Sequence, residues 1–309
     1  MQKIVCDIPE MYSEMMILMK MQGQEESSRN GTVLTLPEPL LVTVCYPLKR
    51  VLTDPTRCAN PFFHVMEFVW MMAGSDKLEW IQQYNKGFKQ YAEEDGRFHG
   101  AYGYRWREHF CLDQIQQAVE MLRRDPSDRR VVIGMWDPET DMGAQKKDLP
   151  CNTHIYLRIV DEELDFTVCN RSNDVIWGMT GANAVHMTML QELMANALGV
   201  DVGKYRVFTN NAHVYTELPN VEKMLETTHT LHVNYVGWRH VKLLQPNEPL
   251  HTFLHECQAF VQGDGPFANK WLAEVAAPVK RLWHERTEYG DIADSEWEQA
   301  CSLWLQRKP

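Results

Sequence analysis

The residues best suited to covalent chemistry lie in one stretch of the 309-residue chain, from Leu149 to Asp174. Cys151 follows Pro150 at the predicted start of a strand, and Arg171 comes twenty positions later, after one predicted hairpin. Because a hairpin returns its second strand beside its first, Cys151 and Arg171 are expected at the same end of a sheet. An arginine there would lower the pKa of the thiol and could bind a phosphate through two parallel hydrogen bonds. The spacing alone also fits an inert buried cysteine and an ordinary arginine at a strand end.

The hairpin lies in a chain whose strands and helices follow each other irregularly. Its strands are predicted at 155–160 and 164–170, and a long helix at 184–198 is ended by Gly199. The other predicted elements are strands within 32–46, an apolar segment at 62–72, helices at 77–92 and 112–124, strands at 131–136, 204–209 and 232–237, and helices at 249–262 and 268–284. Since no regular βαβ repeat occurs, the sequence predicts the α+β class in what can be one domain.

The composition limits the partners. Lys and Arg number 31 against 42 Asp and Glu, which gives a net charge of −11. This charge argues against nucleic acid and anionic membrane surfaces as partners, because both require a basic field, although a small anion in a local basic pocket is still allowed. Eight scattered cysteines without a CxxC pair, and no apolar run long enough to span a membrane, predict a cytoplasmic protein.

Several common catalytic motifs are missing. The sequence has no Walker loop, no GxGxxG after a strand, no HExxH and no GxSxG. Pro150-Cys151 with His154 distantly resembles a zinc deaminase, but the spacing is PCxxH rather than PCxxC and no HxE precedes it. No metal site is therefore expected.

The stretch around Cys151 resembles the thymidylate synthase family. In that family a cysteine after proline is followed, twenty positions on, by a phosphate-binding Arg-Ser pair and then by an aspartate. Cys151, Arg171, Ser172 and Asp174 occupy these places.

Further motifs, in the family's order, extend the resemblance over roughly residues 25–240. They are Arg29 in RNG, Glu67 in HVMEFVWMM, Tyr102 in AYGYRWR, Arg129 and Arg130 before VVIGMW, and His213 and Tyr215 in NAHVY. In the family, the residue at the place of Arg29 binds the phosphate, the residue at the place of Glu67 organises the catalytic water, and Tyr102 corresponds to the active-site tyrosine. The places of Arg129 and Arg130 bind the phosphate of the partner subunit, and those of His213 and Tyr215 bind a sugar hydroxyl. Residues 241–309 have no counterpart that we can identify and form a divergent, helical C-terminal part.

The resemblance implies a thymidylate synthase-like mixed sheet with packed helices. It further implies that one face of this sheet forms the interface of a homodimer. It also implies a pyrimidine nucleoside 5′-monophosphate as substrate and 5,10-methylenetetrahydrofolate as one-carbon donor. Addition of the Cys151 thiolate to C6 makes C5 nucleophilic, which is covalent catalysis. Glu67 and Tyr102 would move protons to and from the ring.

The chain departs from a thymidylate synthase in ways that bear on the product. Asn152 replaces the usual histidine after the cysteine, and Phe88 and Tyr91 lie near the places of two family tryptophans. With Asp174, these two aromatic residues are candidates to bind folate, and Trp177 fits either the folate site or the core. The family's apolar C-terminal tail has no counterpart, which favours water over hydride and thus a hydroxymethyl product. A methyl-transferring thymidylate synthase and a non-catalytic nucleotide-binding module are the alternatives.

The residue expected to recognise the base is displaced by one position. The family's asparagine, eleven residues after the phosphate arginine, corresponds to Ala182, and Asn183 is the twelfth residue. The segment to Gly199 is one residue longer than usual, so a bulge would place Asn183 in the base-binding site. This position favours uracil as the base, although cytosine is still allowed. Alternatively, Asn183 caps a helix that starts at Ala184. No residue is assigned to the 2′ position, so ribose and deoxyribose both remain open.

Overall fold

Two mixed β-sheets organise the computed structural model, which describes residues 1–227, 237–287 and 291–307. The strands of the described residues are β1 (Gln2–Val5), β2 (Gln24–Ser28), β3 (Gly31–Thr35), β4 (Leu40–Val44), β5 (Val132–Gly134), β6 (Asn152–Val160), β7 (Glu163–Asn170), β8 (Asn173–Asp174), β9 (Asp201–Thr209) and β10 (Ala212–Tyr215). The larger sheet has the order β1-β4-β9-β7-β6-β5, and the smaller has the order β2-β3-β10-β8. The α+β class is confirmed.

Helices of very different length surround these sheets. They are α1 (Ile8–Gln22), α2 (Pro61–Met72), α3 (Leu78–Ile81), α4 (Tyr102–Tyr104), α5 (Gln114–Arg124), α6 (Pro138–Asp141), α7 (Ala182–Leu198), α8 (Val221–Leu225), α9 (Leu250–Gln262), α10 (Ala277–Glu285) and α11 (Ser295–Arg307). Wide π-type turns cover Arg105–His109, Val175–Met179 and Leu272–Ala276, and a 3-10 turn covers Lys86–Tyr91. No described helix is long and apolar enough to cross a membrane.

The predicted hairpin is β6 and β7, and its turn explains its register. Asp161 and Glu162 both have positive φ angles, 50° and 63°. A two-residue turn of this kind matches the right-handed twist of the flanking strands. The hairpin therefore brings Asn152 opposite Asn170, at the end of the sheet where the candidate cysteine lies.

The core lies between the larger sheet and the two central helices, α2 and α7. Every residue of α2 is buried, as expected for a helix that is apolar around its whole circumference. Asn60 caps its N-terminus by accepting a hydrogen bond from the Phe63 amide at 3.2 Å. Gly199 ends α7 in the left-handed conformation predicted from the sequence, with φ 74°.

The C-terminal helices pack on the opposite side of α2. The Phe62 ring lies 5.3 Å from Trp283 and 5.4 Å from Trp304, and Phe68 lies 6.0 Å from Trp271. The residues after about 240 therefore share one hydrophobic core with the rest of the chain.

Two predictions of local structure are wrong, and one helix was missed. The helix predicted at 77–92 is broken between α3 and the 3-10 turn, where Asn85 takes an extended conformation and caps the Gly87 amide at 3.1 Å. Helix α7 begins at Ala182 with Gly181 as its N-cap, so Asn183 is not the cap of a helix that starts at Ala184. Helix α1 was not predicted. Residues 232–236 of the strand predicted at 232–237 lie outside the described residues.

Candidate active site

Cys151 and Arg171 meet where the hairpin strands begin and end, as predicted. The Arg171 amide donates to the Cys151 carbonyl at 3.0 Å. The Arg171 guanidinium donates from Nε to the Pro150 carbonyl at 2.9 Å and from Nη2 to the Leu149 carbonyl at 3.0 Å. The arginine thus fixes the loop that carries the cysteine, while its side chain remains at the surface.

The thiol of Cys151 is less acidic than the sequence predicted. Arg171 and Arg29 do lower its pKa, but burial has the larger effect and, together with Asp148 and Asp174, raises the pKa above the ordinary value. Without bound substrate the cysteine is therefore a thiol at neutral pH.

Tyr102 lies directly beside the cysteine. Its hydroxyl accepts a hydrogen bond from the backbone amide of Asn152 at 3.3 Å. Because Asn152 directly follows Cys151 in the chain, the phenol oxygen lies close to the cysteine. Burial raises the pKa of Tyr102, with a smaller contribution from Cys151. The phenol is therefore a neutral donor next to the sulfur.

A polar cluster follows Arg171 on the smaller sheet. Pairing of β8 with β10 sets His213 opposite Asp174. The Ser172 Oγ lies 3.4 Å from His213 Nδ1, and the His213 ring meets the Tyr215 ring edge-on at 5.1 Å. Asn211, which the sequence prediction missed, holds His213 Nδ1 at 3.1 Å from its Oδ1.

The remaining candidate arginines divide into two groups. Arg29 is exposed at the turn after β2, and its charge acts on Cys151. Arg129 and Arg130 lie before β5, where Val132 pairs with Tyr156. At about 3.3 Å per residue along β6, this register places Arg130 roughly 20 Å from Cys151. The structure therefore does not bring Arg129 and Arg130 to the Cys151 of their own chain.

Glu67 lies on α2 in a dry environment. Its Oε2 is 3.6 Å from His186 Nε2 and has no hydrogen-bond partner within the described residues. Burial, with a contribution from Asp148, raises the Glu67 pKa well above its ordinary value. Burial lowers the His186 pKa to about 4, so this histidine is neutral at neutral pH and places no cation beside the Glu67 carboxyl group.

The aromatic candidates for folate binding differ in exposure. Trp177 is 50% exposed, so it does not fill the core, and the Arg57 guanidinium lies 4.3 Å from the centre of its ring. Asp174 fixes this turn by accepting hydrogen bonds from the amides of Ile176 at 2.7 Å and Trp177 at 3.0 Å.

On the other side of the site, Tyr91 is 45% exposed. Burial of its hydroxyl raises its pKa, and the charges of Tyr215 and Asp174 contribute, which shows that Tyr91 faces the polar cluster. Phe88 packs behind it, with ring centres 6.3 Å apart.

A wide turn, Val175–Met179, precedes α7, and in it the Thr180 amide donates to the Val175 carbonyl at 3.1 Å. A Cβ on Gly178 would lie 2.1 Å from Asn173 Oδ1 and 3.1 Å from Asn183 Nδ2, so both amides crowd this glycine. Asn173 is 2% exposed, and its Oδ1 has no hydrogen-bond partner in the described part of the chain. Ala182 and Asn183 are both half-buried in the first turn of α7.

Besides Asn211, two more residues of the site were missed by sequence reasoning. Asp148 acts electrostatically on Cys151, Tyr102 and Glu67, and its place three residues before the cysteine was the available signal. Arg57 had no sequence signal, because only the fold brings it to Trp177. The described residues contain no group of His, Cys and carboxylates placed to hold a metal ion.

Cys151 lies beside Arg171 and Tyr102, and Glu67 is buried on α2, an arrangement that fits a thiol-dependent enzyme acting on an anionic substrate. The sequence profile of thymidylate synthase matches residues 10–242, and the chain belongs to the thymidylate synthase family. It is a C5-pyrimidine-nucleotide transferase with that family's fold.

Relatives within the family have two activities in their names. The chain is 42% identical to the deoxyuridylate hydroxymethyltransferase of Pseudomonas phage M6, over 96% of this chain and 91% of that protein. It is 34% identical to the enzyme of the same name from Bacillus phage SP01, over 58% of this chain and half of that relative. It is 29% identical to the thymidylate synthase of Corynebacterium aurimucosum, over 53% of this chain and 63% of that relative.

Proposed function

We propose that this enzyme transfers a one-carbon group from 5,10-methylenetetrahydrofolate to C5 of dUMP and releases 5-hydroxymethyl-dUMP. The observation that carries the proposal is the meeting of Cys151, Tyr102 and Arg171 at one end of the β6–β7 hairpin. The phage relative with 42% identity, named a deoxyuridylate hydroxymethyltransferase, supports both the base and the product.

The 5′-phosphate binds to arginines from two subunits in this proposal. Arg29, Arg171 and Ser172 come from the chain that carries the cysteine. Arg129 and Arg130 come from the partner subunit, because the β5–β6 register places them far from the Cys151 of their own chain. Guanidinium groups suit this task since they bind phosphate oxygens in pairs.

The covalent step begins with the sulfur of Cys151. The thiolate adds to C6, and the electron pair of the C5–C6 double bond moves toward O4, which makes C5 nucleophilic. Arg171 favours the thiolate electrostatically against the effect of burial. Tyr102 and Glu67 transfer protons at C5 and O4, since burial raises the pKa of both groups and thereby favours their protonated forms.

Asn183 reads the uracil edge, with its oxygen accepting from N3–H and its nitrogen donating to O4. The position of Asn183 Nδ2 beside Gly178, near the buried and unpartnered Asn173 Oδ1, supports this, because a buried polar atom without a partner calls for a polar group to bind it. Ala182 leaves room beside it. His213 and Tyr215 bind the 3′ hydroxyl.

The folate site fits its ligand by exposed aromatic surface. Trp177 and Tyr91 are each about half exposed beside Asp174, and a flat heteroaromatic ring would cover such faces. Phe88 supports Tyr91 from behind. When bound, the folate supplies the one-carbon unit at the formaldehyde oxidation level. Asp174 then hydrogen-bonds to the folate ring while its other oxygen keeps the turn in place.

A homodimer completes the site through the outer face of the larger sheet. This face carries exposed apolar side chains, whereas the opposite face is buried. The exposed apolar side chains of the outer face are Ile4 at 68%, Tyr156 at 48%, Val132 at 45% and Phe208 at 36% exposure. Exposed apolar side chains gathered on one sheet face mark a subunit interface. We further propose that residues 1–309 form one domain and that the enzyme works in the reducing cytoplasm, since all eight cysteines are free.

Mixed dimers test the shared phosphate site. Arg129→Ala and Arg171→Ala homodimers are each expected to bind nucleotide poorly. If Arg129 crosses to the partner, a mixed dimer of the two variants has one site that carries both substitutions and one that carries neither. It should therefore recover about half of the wild-type turnover, measured on dimers purified with two different tags. No recovery would show that each subunit builds its own site.

The function is tested by incubating the enzyme with methylenetetrahydrofolate and, separately, with dUMP, UMP, dCMP and CMP. Mass spectrometry is expected to find a hydroxymethyl product from dUMP, with release of tetrahydrofolate. A preference for dCMP would overturn the role of Asn183, and no turnover of any nucleotide by folded protein would overturn the proposal.

A methyl-transferring thymidylate synthase is the second candidate, supported by the Corynebacterium relative. It would produce dTMP together with dihydrofolate, which is detected by its absorbance. A non-catalytic nucleotide-binding module would bind dUMP equally well after Cys151→Ala and give no product.

A further inference from the structure

One carboxylate at the site has no role in the steps above. Asp148 lies three residues before Cys151 and is half-buried. Its Oδ2 accepts a hydrogen bond from the Gly100 amide at 3.2 Å. A Cβ on Gly100 would lie 2.9 Å from that oxygen and 3.0 Å from the Pro150 nitrogen. The loop that leads to Tyr102 is therefore packed directly on the loop that leads to Cys151, with Asp148 between them.

The position of Asp148 is central to the site. Its charge acts on Cys151, Tyr102, Glu67 and Tyr91, which come from four separate segments. Since Asp148 comes three residues before Cys151 and its Oδ2 binds the amide of Gly100, two residues before Tyr102, the carboxylate lies between the nucleophile and one of the proton-transfer groups.

Asp148 is also free to accept a proton. The nearby cations Arg105 and His99 bind a different carboxylate, Asp141, with Arg105 Nη2 and His99 Nε2 each 2.7 Å from its Oδ1. Lys147 points away and donates to the Ala92 carbonyl at 2.9 Å. Within the described residues, Asp148 Oδ1 has no hydrogen-bond partner. Burial and the charge of Glu93 raise the pKa of Asp148, whereas Arg105 and His99 lower it less, so it is a stronger base than an ordinary aspartate.

We propose that Asp148 is the general base for the hydration step, in which water attacks the exocyclic methylene carbon left on the base after tetrahydrofolate departs. This deepens the proposed function and rests on it. The water oxygen bonds to the methylene carbon, and one water proton passes to the Asp148 carboxylate. The electron pair of the exocyclic double bond moves into the ring as an enolate. The enolate then collapses, the C6–S bond breaks, and the Cys151 thiolate leaves. Water is added and nothing is oxidised or reduced.

The test separates hydration from the earlier steps by using dUMP tritiated at C5 and an added thiol, 2-mercaptoethanol, to trap the methylene intermediate. Asp148→Asn keeps the size of the side chain and an oxygen for the Gly100 amide. We expect hydroxymethyl product to fall by about 10²- to 10⁴-fold, the range for loss of a general base. Tritium release in the presence of thiol should stay within a few-fold of wild type, and mass spectrometry should find the thioether as the main product.

Two further variants make the outcome decisive. Asp148→Glu keeps the carboxylate and should recover part of the hydroxymethyl product. Glu94→Gln removes an exposed carboxylate next to Glu93 in the chain, and it should leave both products unchanged. If the hydroxymethyl and thioether products fall by the same factor in Asp148→Asn, the residue is merely structural and the inference is wrong. It is also wrong if hydroxymethyl product is unchanged. A wild-type enzyme that makes no hydroxymethyl product would instead overturn the proposed function.

Discussion

Two glutamates on the central helices, Glu67 on α2 and Glu192 on α7, are both buried, yet their pKa values are shifted in opposite directions. Glu67 is 9% exposed and Glu192 is 2% exposed. Burial raises the pKa of Glu67 well above its ordinary value, with a contribution from Asp148. Burial would also raise the pKa of Glu192, but the charges of Arg50 and His240 outweigh it and lower that pKa to about 2.

The difference lies in the partners, not in the depth of burial. Glu192 binds the Arg50 guanidinium through Oε2 and lies 2.8 Å from His240 Nε2 through Oε1. His240 in turn lies 3.1 Å from Asp294, so this ionic cluster ties the C-terminal part to α7. Glu67 has only the neutral His186 beside it. A buried carboxylate that is fully paired stabilises the fold, whereas one left without a cation can carry a proton.

The largest expected effect is on activity, and it distinguishes Glu67 from Glu192. Glu67→Gln keeps the shape of the side chain but cannot transfer a proton, so kcat for the C5 reaction should fall by about 10²- to 10⁴-fold. The free energy of unfolding, measured in urea, should not decrease, because the substitution breaks no ion pair: His186 beside Glu67 is neutral. A kcat within tenfold of wild type would remove Glu67 from the mechanism.

The matching change at the ionic cluster should act on stability instead. Glu192→Gln leaves Arg50 buried without its anion, and the free energy of unfolding should fall by about 3–5 kcal/mol, the cost of removing one partner of a buried pair. The kcat of protein that remains folded, assayed well below the unfolding transition, should be unchanged. Loss of kcat without loss of stability would show that the cluster acts on the site.

The pH dependence of stability should follow the cluster. The pKa of Glu192, lowered from 4.5 to about 2, contributes stability that is present above pH 4.5 and is lost as the pH falls through 2. Burial alone would lower the pKa of His240, but Glu192 and Asp294 raise it from 6.5 to about 10. Its stabilisation is complete below pH 6.5 and is lost as the pH rises through 10.

A third group, Glu296, narrows the pH range of high stability from the alkaline side. Burial raises the pKa of Glu296 from 4.5 to about 7, so its contribution is complete below pH 4.5 and is lost as the pH rises through 7. Since Glu192 loses its contribution below pH 4.5 and Glu296 loses its contribution above it, urea unfolding should show the greatest stability near pH 4.5, with a further decline above pH 6.5 as the contribution of His240 is lost. In Glu192→Gln the decline toward pH 2 should be weaker. An identical profile in both proteins would contradict the role of the cluster.

The smallest effect is expected at an exposed pair on the same C-terminal part. Arg239 and Glu298 are 3.6 Å apart, with side chains 68% and 44% exposed. Glu298→Gln should change the free energy of unfolding by less than about 1 kcal/mol, because solvent screens such pairs. A loss as large as that of Glu192→Gln would show that burial is not what distinguishes the two pairs.

Much of the site followed from the sequence because the residues are close along the chain. Cys151 and Arg171 belong to one hairpin, and alternating side chains with a short polar link determine where a hairpin begins and ends. The same holds for Gly199, whose left-handed conformation ends α7. The helix predicted at 77–92 was wrong because Asn85 interrupts it by a local side-chain hydrogen bond that periodicity does not show.

Tertiary structure alone decided the charge states and the long-range contacts. Arg57 reaches Trp177 across 120 positions, and Glu192 meets Arg50 across 142. The sequence predicted that Arg171 would make Cys151 acidic, but burial outweighs that charge in the folded protein. The chain by itself thus determined which chemical groups are present and which neighbours share a hairpin. The fold determined how much water each group loses and which charges face it, and these two quantities set every pKa at the site.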